Sequence, residues 1–233
     1  MSEYNYLGLV NDINGRLNEV PLSDTNFLSA SGWYSQAKES VNSAIQHISH
    51  QESRFPFYYV EQTDTLTEGQ IKYEYPTGAE AVKMDSFRIV KNSGNNVGAV
   101  YLTERDYEEI LQESVDIDSD EVKTGVPKWV FRYPSMHFGI YPPANDEYTM
   151  KYEWYRLPLP LVNATDTPLI PYQWRHVIIN GAMMYAYMFR GDPESSALMK
   201  EIFDNDIKHM KKVYENRYVS VRGSMINRRG AVY

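Results

Sequence analysis

Apolar positions recur at helical spacing near both ends of the chain and alternate in between. Tyr6, Val10, Ile13 and Leu17 fall at steps of four, three and four, which predicts a helix over 5–19 that Pro21 ends. A second helix is expected over 33–50, with Tyr34, Ala37, Val41, Ala44, Ile45 and Ile48 on its buried side. The stretch RFPF (54–57) closes it, because Pro56 disfavours helix at Phe55. The period then shortens. IKYEYP (71–76) alternates, and DSFRIVK (85–91) carries the β-branched and aromatic residues that suit strands.

NSGNNVG (92–98) reads as a turn-rich loop, and TERDYEEILQE (103–113) as a short helix with Thr103 at its N-cap. KWVFRYP, HFGIYPP and YTMKYEWYRLPLPL follow as antiparallel strands, with PPAND (142–146) turning between the last two. After TPLIP the helical period returns. Trp174, Val177, Ile178, Gly181, Tyr185, Met188 and Phe189 form one face, and Met199, Phe203, Ile207, Met210 and Tyr214 form the next. Between them Gly191 supplies a left-handed helix end, while Asp192 and Pro193 supply an N-cap and a first helical residue. The span 171–216 is therefore a helical hairpin with arms about 30 Å long.

These elements predict an α+β fold. The terminal helix pairs, 1–55 and 165–217, form a helical bundle, and a β-rich lobe with one short helix is inserted at 56–164. Composition agrees with a packed protein: 42% of residues are hydrophobic and 23% charged. No run approaches the roughly 18 apolar residues of a membrane span, and MSEYNYLGLVND lacks the basic and apolar regions of a signal peptide. With 0 Cys there is neither a disulfide framework nor a cysteine nucleophile, and synthesis in a cytoplasm is expected. The 20 Tyr suit either an aromatic-rich core or partly wet protein interfaces.

No constellation commits the chain to a reaction, and no cofactor or metal is expected. His47 and His50 share a helix face at i and i+3, where a solvated polar surface is the simpler reading. DIDSDE begins like a calcium loop at Asp116, Asp118 and Asp120, but Glu121 stands where Gly is needed and Pro127 where a bidentate Glu is needed. The methionines Met183, Met184, Met188, Met199 and Met210 read chiefly as core, with an adaptable docking surface as the other option. Nucleotide-loop and nucleophile-elbow patterns are absent from the sequence.

The end of the chain reverses the charge of the rest. Overall 31 acidic residues face 23 basic ones, yet no acid follows Glu215, while Arg217, Arg222, Arg228 and Arg229 do. Val219 and Val221 alternate with Ser220 and Arg222, a pattern suited to adding a strand to an exposed sheet edge. The expectation is an extended arm over 218–233 that binds a partner through Arg217, Val219, Val221, Arg222, Arg228, Arg229 and Tyr233. A tail folded back on its own acidic body, or a DNA-binding arm, are the alternatives.

Two stretches carry a resemblance. AKESVNSAIQHISHQ followed by FPFYYVEQTDTLTEGQIKYEYP, and PLIPYQWRHVIINGAMMYAYMFRGDPESSALMKEIFDNDIKHMKKVY, resemble the head-to-tail adaptors of short-tailed phages, the tail accessory factor and tail tubular A family. The shared features are an amphipathic helix running into an aromatic-Pro-Phe corner and a Thr-rich strand, then an Ile-Pro lead into two long helices joined at Gly-Asp. The span 79–128 departs from the pattern, and no family detail is carried onto it.

The resemblance implies a non-enzymatic virion protein of the neck, between head and tail. Such adaptors form a ring, typically of twelve copies, under the portal protein. The ring continues the DNA channel, gives tail nozzle or tube proteins a platform, and lets double-stranded DNA pass without specific binding; no membrane is involved. C-terminal extensions in the family commonly leave the bundle and attach to the portal. Another neck or tail-tip ring protein (a stopper or tube end) is the nearest rival. A glycan-binding or wall-degrading tail protein is a more distant one, since no carboxylate pair presents itself for glycan hydrolysis.

Overall fold

The computed structural model describes residues 3–93, 96–113 and 123–214. They divide into a helical unit, drawn from residues up to 57 and from 158 onward, and a β unit over 58–157.

The helical unit contains α1 (Tyr6–Arg16), α2 (Asp24–Phe27), α3 (Trp33–Gln51), α5 (Arg175–Phe189) and α6 (Pro193–Tyr214). α1 starts where predicted because Asn5 caps it, its side chain accepting the Gly8 N–H at 2.8 Å. α3 buries Ala37, Val41, Ala44, Ile45 and Ile48 as its period requires. The four-residue α2, which buries Phe27, has too short a period to be read in advance.

α5 departs from the expected single apolar face. It packs against α1, α3 and α6, and Val177, Ile178, Ile179, Ala182, Met183, Met184 and Ala186 are buried around most of its circumference. A helix apolar all round belongs in the middle of a bundle. Met188 and Phe189, assigned to the buried face, are instead 61% and 57% exposed. Gly181 marks the closest approach: a Cβ there would sit 2.6 Å from the Phe203 ring of α6 and 3.0 Å from Ala44 Cβ of α3.

The α5–α6 corner has the anticipated chemistry. Gly191 is left-handed (φ 74°), its N–H reaches Met188 O at 3.2 Å, and the Asp192 N–H reaches Tyr187 O at 3.0 Å. Asp192 Oδ1 then accepts the Ser195 N–H at 3.0 Å to start α6. α6 buries Ser196, Phe203, Ile207 and Met210.

The bundle closes between distant parts of the chain. Asn42 on α3 acts as a backbone surrogate for Leu161, accepting its N–H at 2.9 Å and donating to its carbonyl at 3.0 Å. Arg175 donates to Asp12 at 2.8 Å and to the Glu3 carbonyl at 3.0 Å, tying the start of α5 to α1.

The β unit has two four-stranded sheets. One has the order β1 (Tyr59–Leu66), β8 (Tyr148–Arg156), β3 (Ala79–Ser93), β4 (Asn96–Tyr101), all antiparallel. The other runs β2 (Lys72–Glu74), β7 (His137–Tyr141), β6 (Trp129–Tyr133), β5 (Thr103–Glu104), with β5 parallel to β6. Their facing sides enclose a core of Leu66, Val82, Met84, Phe87, Ile89, Val130, Phe138, Ile140, Met150 and Tyr152. At its centre Phe87 stacks on Tyr152 at 4.7 Å and Phe138 closes on both.

On the far side of the second sheet Phe131 and Trp129 pack under Ile110 and Tyr107 of α4 (Tyr107–Glu113), making a third layer. Gly139 lies opposite Phe131 in the ladder, and an added Cβ would meet that ring at 2.2 Å. In the first sheet the β3–β8 ladder shifts register between Lys83 and Arg88. There Ser86 Oγ replaces a ladder carbonyl by accepting the Glu153 N–H at 2.8 Å.

Two sequence expectations fail in this unit. Residues 92–93 and 96–98, read as part of a turn-rich loop, belong to the paired ends of β3 and β4. Thr103 is not an N-cap: its N–H joins β6 through Lys128 O at 2.9 Å, Arg105 N–H joins Val130 O at 3.0 Å, and α4 begins only at Tyr107. Backbone pairing with a strand some twenty-five residues on outcompeted the local cap.

Candidate partner-binding surfaces

The residues singled out for partner binding, Arg217, Val219, Val221, Arg222, Arg228, Arg229 and Tyr233, lie outside the described residues, as do Asp116, Asp118 and Asp120. What the structure does place is α6 as far as Tyr214. Tyr214, the last residue of α6, has its phenol oxygen accepting from Trp174 Nε1 at 3.0 Å and from Gln173 Nε2 at 3.1 Å. Phe55 and Phe57, stacked on each other at 5.1 Å, meet its ring edge-on at 5.9 and 5.8 Å. One turn earlier Lys211 donates to Gln51 O at 2.8 Å and pairs with Glu52 at 3.5 Å. α3 has already ended at Gln51, and Pro56, which opens the 3-10 turn Pro56–Tyr58, keeps Phe55 out of helical geometry at this corner.

His47 and His50 line one surface cavity with Gln46, Gln51 and Tyr185 but differ in burial. His50 is exposed, whereas His47 is half-buried, with Nδ1 3.1 Å from Tyr185 Oη and its ring 5.1 Å from Phe203. The expected solvated pair is thus one surface histidine and one packed against the bundle, because position 47 borders the face that α5 covers. Among the described residues no three or more His, Asp or Glu converge as metal ligands.

The methionines also divide. Met183, Met184 and Met210 are core, while Met188 rims an apolar groove of about 510 Å³ with Met184, Pro193 and Ala197.

The β unit presents two charged surfaces. On the outer face of the first sheet, Glu61 pairs with Arg88 at 3.0 Å and Lys151 at 3.7 Å, and Glu153 with Lys83 at 3.4 Å. That face neutralises itself and adds little stability, since exposed pairs are worth about 0–1 kcal/mol. The second surface is not balanced. A cleft beside α4 is lined by Glu104, Asp106, Glu108 and Glu109 with Arg105 and Arg132. In the sequence, 104–121 holds nine of the 31 acidic residues and one of the 23 basic ones, so this stretch carries −8 and the remainder balances at 22 against 22. The net charge of the protein is therefore a local property, a concentration that whole-chain charge conceals.

Three tyrosines illustrate how the hydroxyls are used. Burial pushes the phenols of Tyr4, Tyr6 and Tyr152 well above the usual tyrosine range, reinforced for Tyr152 by its hydrogen bond to Asp64 at 2.8 Å. They remain neutral donors that tie segments together. No helix of the described residues is long and apolar enough to cross a membrane.

No curated protein matches the chain. The family model of the SU10 adaptor protein matches residues 4–228. With a match over nearly the whole length, on a fold in which terminal helices flank a β-rich region, the chain belongs to the SU10 adaptor family of phage head–tail adaptors.

Proposed function

We propose that this protein forms a ring, of twelve copies, in the virion neck beneath the portal, where it continues the DNA channel and gives the tail nozzle or tube proteins their attachment platform. The observation that carries this reading is the adaptor-family match over residues 4–228. The role is structural and non-enzymatic, and duplex DNA passes through without specific binding. Concentration of the negative charge at 104–121 supports that last point, because DNA affinity comes largely from basic groups that neutralise phosphates.

Within this reading the chain has three parts: a bundle of 1–55 with 165–217, a β-rich insert at 56–164, and an arm at 218–233. The arm docks on the portal. Val219 and Val221 lie along a sheet edge of the partner, and Arg222, Arg228 and Arg229 face its carboxylates. Support comes from the reversal of charge after Glu215 and from the apolar helical period of the sequence ending at about Tyr214.

The test mixes purified protein with the portal of the same virion at micromolar concentration and measures mass and shape by native mass spectrometry and electron microscopy. A ring on the portal is expected; a chain that stays monomeric in the mixture overturns the reading. Changing Arg222, Arg228 and Arg229 to Glu should weaken attachment while leaving the melting of the isolated protein unchanged.

A further inference from the structure

We infer that two surfaces of the helical unit fit each other between neighbouring copies: the segment 158–162 of one chain, led by Leu159, seats in the apolar groove between α5 and α6 of the next. The inference rests on the ring reading above and names the surfaces that close it.

The projecting surface is rigidly built. Pro158 and Pro160 fix their own backbone torsions. Leu161 is buried and has both backbone groups taken by Asn42. Asp166 accepts the Val162 and Asn163 N–H groups, each at 2.7 Å, while the carbonyls of Ala164 and Asp166 accept the Leu7 and Tyr6 N–H groups of α1. On this frame Leu159 and Val162 stand 78% and 63% exposed. Single exposed apolar side chains are ordinary. These two, however, are held out by an already ordered backbone, so seating them costs little further entropy.

The receiving surface is the groove lined by Met184, Met188, Pro193 and Ala197, with Lys200 as its charged member. Its volume of about 510 Å³ lies within the roughly 300–1,000 Å³ of pockets that take apolar ligands. Methionine side chains adapt to the shape of what enters. The charges also agree. Asp166 is the single charged residue of 158–167, its carboxyl lies below the ordinary aspartate range because of the N–H groups it accepts, and its sign is opposite to that of Lys200.

The occupant is a second copy, because one chain does not reach its own groove. Asn42, which holds Leu161, and Ala44, which borders Gly181 of α5, are two residues apart on α3 and so about 200° apart around it. The segment therefore lies on the flank of α3 turned away from α5, and the groove lies on the α5–α6 side. Unlike surfaces on opposite flanks of one unit join head to tail, the arrangement that closes into rings.

The chain has 0 Cys, so introduced thiols are unique. Full-length Leu159→Cys, Ala197→Cys and the double variant are each mixed with the purified portal, treated with a short bismaleimide crosslinker and separated on a denaturing gel. Native mass spectrometry follows assembly of the wild type and of Leu159→Glu. The double variant is expected to give a ladder of covalent multimers, each single variant to stay monomeric, and a mixture of the two single variants to stop at dimers. Leu159→Glu is expected to lose the ring mass while melting as wild type does, since the side chain is exposed. A ring that forms without the ladder, a ring of wild-type mass in Leu159→Glu, or covalent bands joining the double variant to the portal instead of to itself would overturn the contact and leave the ring standing. A wild-type chain that stays monomeric with the portal would overturn the ring reading and the contact with it.

Discussion

Gly181 sets two residue-scale effects against each other. Replacing it by Ala in mid-helix should gain about 1 kcal/mol of propensity, but the new methyl would stand 2.6 Å from the Phe203 ring. Overpacking of that kind costs about 1–3 kcal/mol, and the loss should win because Phe203 is fully buried. Gly181→Ala is expected to lower the midpoint of thermal unfolding, measured by circular dichroism, by several degrees. Gly139→Ala should do the same through Phe131 in the β unit. Asn42→Ala, which strands both backbone groups of Leu161, is expected to cost about 1–3 kcal/mol in urea titration. The sequence placed Gly181 on an apolar face correctly, but nothing in it identified the aromatic ring that demands a glycine. The partner of Asn42 was likewise invisible, because Leu161 is far away in the chain. His47 shows the same limit: helical spacing gave its neighbours on α3, and only the packing of α5 and α6 gave its surroundings.

At the scale of elements, legibility followed the range of the interactions. The α5–α6 hairpin was readable because Gly191, Asp192 and Pro193 act within a few residues of one another. The strands were only partly readable, since the ladder of β5 with β6 overrode a plausible cap at Thr103, and the two ends of the β3–β4 hairpin pair through backbone rather than side chain. Local carboxylates make a pH prediction at this scale. Asp166 lies below the ordinary aspartate range because it accepts the Val162 and Asn163 N–H groups, and Asp192 does so because it accepts from Ser195. A folded-state pKa below the unfolded value favours the ionised form. Their contribution is present above the ordinary value of 3.8 and disappears as pH falls through the lower folded values. The urea midpoint should therefore drop as the pH falls below the ordinary value of 3.8, and the double variant Asp166→Asn, Asp192→Asn should show a shallower drop. An unchanged pH profile in that variant would assign the acid sensitivity elsewhere.

At the scale of the whole molecule, the adaptor role was legible only as a family resemblance carried by two stretches, and the family match extends over the departing middle as well. Outside 104–121 the sequence balances at 22 acidic against 22 basic residues, so it carries no excess of the basic groups that hold a polyanion. The isolated protein is expected to leave a duplex DNA fragment unshifted in a gel at physiological salt. Tight, salt-sensitive retardation would count against a channel through which DNA slides.

The order of the chain has a consequence for synthesis. The helical unit takes α1 and α3 from the beginning and α5 and α6 from the end, whereas the β unit is continuous. On the ribosome, α3 must wait for well over a hundred residues before its main partner α5 exists, with its apolar face uncovered meanwhile. The β unit has all its partners as soon as β8 emerges, so it can complete folding first. Expressed alone, 58–157 should give a cooperative unfolding transition and near-ultraviolet aromatic dichroism, while 1–57 alone should give neither. The nascent helices at the start of the chain are thus the segment for which a host chaperone would matter most, and slowing translation ahead of α5 should lower the yield of soluble protein.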